Sequence, residues 1–268
     1  MCVEANPRTK QRTGGCGCGG HGHGRHKRTA TARDIVELDL SAPTKHKCNC
    51  DKRRCPRTYL AWSGLVLGGF LVLHFGANLL GFWPTTFQAF VSRNHALGWG
   101  LTALEIALIF LPLAVHLKFG LRTLQREQLR YDIEKHHHGS DLRQWLQRVS
   151  AVILLAFLAF HVTAMHRWLG GRFAPDAAFA SASQAIWQFW RGLPVGHPAN
   201  LLVANFYLLG IVAAVYHLAN GVATAAEVLG WVESPAAQQR LWRVCLAGGG
   251  ALLLVGLAAW YALSLHGH

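Results

Sequence analysis

The chain has 268 residues, of which 51% are hydrophobic and 15% charged, and it carries a net charge of +13. Charges are segregated between apolar windows of about twenty residues, the length that a hydrocarbon core of roughly 30 Å requires of a spanning helix. This excludes a soluble globular domain, and basic residues confined to the tail and connections argue for membrane orientation rather than nucleic-acid binding.

Residues 1–55 form a polar, basic extension with no apolar stretch of the kind that opens a signal peptide. Within it "GGCGCGGHGHGRHKR" (14–28) is low-complexity and has too little apolar surface to fold. Cys16, Cys18, His21 and His23 could hold a soft metal, joined by Cys48, Cys50 and Cys55, but the C-x-C and C-x4-C spacings match no standard zinc site. A solvated tail attracted to anionic lipid is the simpler expectation.

The rest, 56–268, is expected to be one membrane domain. Five windows qualify as spans, at about 59–82, 97–120, 145–168, 199–222 and 241–263. Backbone groups in lipid must be satisfied within the segment, and the alternation of a membrane barrel is lacking, so the spans are predicted to be helices. Of 26 basic residues, 13 precede residue 59, seven fall in 118–148 and two in the fourth connection, against one in the first and three in the third. That asymmetry puts the N-terminus on the cytoplasmic side of the inner membrane and the C-terminus outside.

Four successive spans each contain an imidazole: His74 in "FLVLHFGANL", His116 in "LPLAVHLKFG", His161 in "LAFLAFHVTA" and His217 in "AAVYHLANG". Polar side chains at such depth are costly and tend to mark a functional path. With 1.5 Å of rise per residue, His74 and His161 lie roughly 22 and 24 Å from the inner face, while His116 and His217 lie roughly 6 and 8 Å from it. The helices therefore present two layers, about 15 Å apart, with two imidazoles in each. Local patterns give the same pairs. Ser63, Phe70 and His74 repeat as Ser150, Phe157 and His161, and His116, Leu117 and Gly120 repeat as His217, Leu218 and Gly221. Two imidazoles at one height in an apolar slot suit a six-coordinate b-type haem, which has no open site for a substrate and so moves electrons.

With these residues in place the chain resembles, over about 55–265, the five-helix dihaem cytochrome b subunit that anchors succinate dehydrogenases and fumarate reductases having one large membrane subunit. The resemblance is carried by Ser63 with His74, by "LEIALIFLPLAVH" (104–116), "QRVSAVILLAFLAFH" (147–161) and "YHLANGVAT" (216–224). It implies an all-α bundle of five transmembrane helices with two stacked haem b sites, a proximal one on His116 and His217 and a distal one on His74 and His161. It also implies a quinone substrate, expected to be menaquinone, with flavoprotein and iron-sulfur partners on the cytoplasmic side. Those partners would carry the succinate or fumarate chemistry, since the folded part has no nucleotide-binding glycine motif and no iron-sulfur cysteine set. Val215 stands two residues before His217, where some relatives have a Glu associated with proton movement.

Glu105 is the one acid inside the five windows, and a carboxyl there could take the proton released by a quinol. Arg122 and Arg167 could pair with haem propionates, although snorkelling anchors would read the same. Pro112, one turn before His116, is expected to kink the second span. Trp83, Trp99, Trp168 and Trp231 read as interfacial belt residues. The long outer segment 170–197 is expected to hold a short amphipathic helix lying on the membrane or capping a quinone site. The charged connection around 126–144 suits docking of soluble partners, with the His136–His138 triplet solvated. Two other readings compete: a transition-metal transporter using the histidines as a relay, which predicts ligands at graded depths, and a dihaem anchor for another dehydrogenase or a hydrogenase.

Overall fold

The structure, a computed structural model, describes residues 56–126, 139–166, 169 and 171–264, and the chain is helical over most of them. The extension over 1–55, the His136–His138 triplet, Arg167 and Trp168 lie outside the described residues.

Helix α1 (Pro56–Leu79) continues through a tight turn at Leu80–Phe82 and is followed by α2 (Pro84–His95). Next, α3 (Trp99–Glu105) passes through a π-turn at Ile106–Phe110 into α4 (Leu111–Arg126). Then come α5 (Gly139–Met165), α6 (Ala178–Trp187), α7 (Pro198–Val228) and α8 (Pro235–Ala262). Five runs among the described residues are long and apolar enough to cross a membrane: Pro56–Phe82, Trp99–Thr123, Leu142–Met165, Pro198–Val228 and Pro235–Ala262. These are the five expected spans. The fourth ends six residues later than its apolar window, and the fifth begins six residues earlier. Hydropathy falls at the first charge, but backbone hydrogen bonding runs on until a cap stops it. Gly230, at φ 73°, follows the end of α7, and the Ser234 side chain caps α8 by accepting from Ala237 N at 3.2 Å, with Pro235 at its first position. The longer α7 consequently includes a second acid, Glu227, 3.8 Å from Arg143 on α5.

The hub of the bundle is α7, which packs against α1, α5, α6 and α8. Its buried side is built from Ala204, Ala213, Ala214, Ala219, Ala223 and Ala226. Small side chains let helix backbones approach closely, which is how helices associate where water supplies no hydrophobic drive. The outside is apolar: Leu73, Leu202, Leu254 and Val244 are 74%, 71%, 69% and 67% exposed. A largely apolar exterior on five such helices suits a multi-pass membrane protein.

Below, the near end of the bundle is the one where α1 begins, and the far end is the one where it finishes. The far end carries a cap of protein. In the connection after the first span α2 is an element that periodicity did not announce, and the helix expected in 170–197 is α6. Of the two settings expected for it, the observed one is a cap on protein: Ala178, Ser181, Ala182, Ser183, Ala185 and Ile186 are buried, and the Trp187 indole N–H donates to Ser264 Oγ at 2.9 Å. A face of Ala and Ser side chains nests against protein and offers little to lipid. Gln88 on α2 fastens the cap, with Nε2 donating to Pro175 O and Oε1 accepting from Ala178 N, both at 2.7 Å. That second bond satisfies a backbone donor that a helix start otherwise leaves open. Asn200, fully buried, accepts from Trp190 N at 2.9 Å and donates to Pro194 O at 3.1 Å, tying the 189–197 loop to the start of α7.

The second span departs from a regular helix where Pro112 is near. At the π-turn the Leu111 N–H donates to Ile106 O, one residue wider than the α-helical step. Proline cannot donate, and the extra residue in the preceding turn rotates everything before it relative to His116.

Candidate functional site

The four imidazoles meet in two pairs. The His74 and His161 rings, from α1 and α5, have centroids 6.0 Å apart and planes at 77°. The His116 and His217 rings, from α4 and α7, have centroids 6.1 Å apart and planes at 82°. Ser63, on the same helix as His74 but eleven residues earlier, touches His116, with 3.3 Å between Oγ and Nδ1. Eleven residues of helix rise about 16 Å, so the far and near pairs are separated by roughly that height.

The spacing within each pair has chemical content. With metal–nitrogen bonds of about 2.0–2.1 Å and roughly 1.1 Å more to each ring centre, two imidazoles on opposite sides of one metal have centroids about 6.3 Å apart. Both pairs match that separation. Each also keeps a buried ring nitrogen, Nδ1 of His161 and Nδ1 of His217, without a hydrogen-bond partner. Buried polar atoms are normally satisfied, so an open nitrogen in each layer sets these imidazoles apart from ordinary core histidines. The donors are imidazoles, softer than carboxylate or carbonyl oxygens, which suits haem iron better than a hard cation. Among the described residues no cluster of three or more His, Cys, Asp or Glu side chains could hold a bare metal ion.

The two layers differ in what surrounds them. In the far layer Phe157 stacks on His161 at 5.5 Å and 21°, and Phe70 lies 5.5 Å from His74. Tyr207 of α7 meets His161 edge-on at 5.8 Å, with its hydroxyl buried and unpartnered. Phe157 reaches this position because α7 has Gly210 opposite it; a Cβ there would fall 2.4–2.6 Å from three ring atoms. In the near layer polar groups prevail. Gln147 of α5 donates from Nε2 to His217 O at 3.1 Å and accepts at Oε1 from Asn220 Nδ2 at 3.0 Å. The bond from α5 to the His217 carbonyl fixes the backbone that carries the imidazole.

Over 207 residues the chain is 29% identical to the succinate dehydrogenase cytochrome b558 subunit of Bacillus subtilis (strain 168). That alignment takes in 74% of this chain and 90% of that protein. No family model matches the chain. The aligned stretch is long enough to include the greater part of the five-helix region, and the likeness spans nearly the whole of the relative.

The other residues singled out in the sequence are scattered. Glu105 is half-buried where α3 enters the π-turn, with its carboxylate 3.9 Å from His166 Nε2, and Phe110 meets the His166 ring edge-on at 5.4 Å. Arg122 is exposed, its guanidinium 6.0 Å from the Phe119 ring. Trp83, Trp99 and Trp231 are exposed near helix ends, as expected of belt residues. Gly120 and Gly221 face Leu60 and the Gln147 amide at ordinary contact distance. Tyr207, Gln147 and Asn220 were not singled out. A signal for Tyr207 existed: it stands ten residues before His217, about 15 Å along the helix, and so at the height of the other layer.

Proposed function

We propose that the chain is the membrane-anchor and electron-transfer subunit of a succinate:quinone oxidoreductase, passing electrons between quinone and an iron-sulfur subunit through two haems b. The observation that carries this reading is the pairing of four imidazoles at two heights, each pair at the separation of axial ligands. The printed name of the Bacillus subtilis relative supports the same assignment, including partnership with a dehydrogenase.

On this reading His116 and His217 hold the proximal haem and His74 and His161 the distal one. A haem ligated on both faces supplies one-electron transfer and no open coordination site. The chain's contribution is to fix the four donors, to exclude water with apolar helices, and to set the two layers one above the other. The near end faces the cytoplasm, where the basic connections lie, and there the flavoprotein and iron-sulfur subunits dock. Arg122 at the near end, and Arg167 beyond α5, are assigned to propionate contact. Two sharp layers speak for haem and against a relay of metal ligands at graded depths.

The test is isolation of the chain with whatever co-purifies. The expected result is two protohaems per chain, a reduced-minus-oxidised b-type spectrum and a flavin-bearing subunit in the complex. Bound divalent metal with no b-type spectrum would sink the reading in favour of transport.

Glu105 and His166 lie at the far end, past His161, and there we assign Glu105 to accepting a proton from quinol. Glu105→Gln is expected to slow quinol-linked turnover at least tenfold while leaving dye-linked succinate oxidation unchanged. Equal rates with quinone in variant and wild type would remove Glu105 from the site.

A further inference from the structure

The edge of His116 that faces α1 is lined with acceptors. Ser63 Oγ lies 3.3 Å from His116 Nδ1, and the Leu60 carbonyl faces the same imidazole. The serine hydroxyl is itself committed as a donor, with Tyr59 O at 2.7 Å and Leu60 O at 3.1 Å, so its oxygen is left to accept. An accepting hydroxyl beside Nδ1 favours the tautomer with its proton there, which leaves the lone pair of a neutral ring on Nε2. Close packing holds the ring in this attitude. Ser63 is buried, and a Cβ on Gly64 would stand 3.0 Å from His116 Cε1 and 3.3 Å from Nδ1, so any larger residue would press the ring away from α1.

The same arrangement is repeated on α5. Ser150 Oγ donates to Gln147 O at 3.0 Å, as Ser63 does to Leu60 O, and the Gln147 carbonyl faces the His217 imidazole. There the hydroxyl makes no contact with the ring, and His217 Nδ1 has no hydrogen-bond partner. The two imidazoles of the near pair are thus treated unequally, and the difference is Ser63.

We propose that Ser63 is a positioning residue for the near pair: by accepting from His116 Nδ1–H it commits Nε2 as the donor to the proximal haem and sets that donor's basicity. This rests on the haem reading above. A hydrogen bond from the far nitrogen of a ligating imidazole raises its electron donation and favours the ferric state. Losing one of two acceptors must therefore raise the potential of that one haem.

The experiment uses the complete detergent-solubilised complex in four forms: wild type, Ser63→Ala, Ser63→Thr and Ser150→Ala. Redox titration followed optically, with low-spin ferric signals followed by electron paramagnetic resonance, reads each haem separately. Ser63→Ala is expected to retain two haems, to shift one midpoint upward and to move one ferric signal, the other haem staying at wild-type values. Ser63→Thr, which keeps the hydroxyl, restores both readings, and Ser150→Ala leaves them unmoved. Ser63→Cys, a weaker acceptor of similar size, gives a smaller shift of the same sign and carries the test should the alanine variant assemble poorly. Unmoved midpoints in both the Ala and Cys variants, or equal shifts of both haems, would overturn the assignment of Ser63 alone. A wild-type complex without haem would overturn the functional reading beneath it.

Discussion

If the proposed ligand assignment holds, alanine at His217 should halve the haem content of the purified complex, with the remaining haem keeping its wild-type potential. His116→Ala should then do the same to the same haem, because each would remove one of two donors to a shared iron. The pairing itself is tested by double variants. If His116 and His217 grip one iron, the variant lacking both loses no more haem than either single variant, whereas a variant lacking His116 and His74 loses both haems. Such non-additivity within a layer and additivity between layers is what coupled and independent sites give. Haem extraction against protein concentration reads the result directly, and a His116/His217 double variant that lost both haems would dissolve the near pair as a unit.

The second large effect is expected at Gly210, far from any charged group. Valine there would put its Cβ 2.4–2.6 Å from three atoms of the Phe157 ring, with two methyl groups still to be placed. Phe157 must leave its place against His161 or α7 must part from α5. Overpacking of this sort costs about 1–3 kcal/mol, and more where backbone has to move. We expect Gly210→Val to lower the thermal midpoint of the complex in detergent by several degrees and to deplete the distal haem while sparing the proximal one. Gly69, whose added Cβ meets nothing within 4 Å, is the control, and Gly69→Ala should be neutral. A Gly210→Val complex with both haems at full occupancy would mean that Phe157 has no part in holding His161.

The spans, and the pairing of the four imidazoles by height, were legible because both depend on one-dimensional quantities. Apolar length must match hydrocarbon thickness, and depth is residue count times rise. Relations between helices were less accessible. Ser63 was read with His74 through their shared helix face, but its contact is His116 of α4, since one face of α1 looks at different neighbours along its length. Gln147 and Asn220 are unremarkable polar residues near a span end until α5 and α7 are side by side. The far cap was left between two settings for a related reason. An aromatic-bearing segment between spans reads in isolation as a surface helix or a cap, and partners such as Gln88 and Ser264, distant in sequence, draw it into protein. Glu227 was outside the expected window because helices end at caps rather than at the first charge.

Helix α1 contributes His74 to one layer and the Ser63–Gly64 seat of His116 to the other, and no break interrupts it between them. It is in effect a ruler. A membrane that thins or thickens will lean the whole rod without stretching it, so the distance between the two imidazole layers is calibrated by covalent geometry and not by the lipid. Transfer between the two irons of the proposed pair should then proceed at one rate in short-chain and long-chain bilayers, even where docking of soluble partners does not.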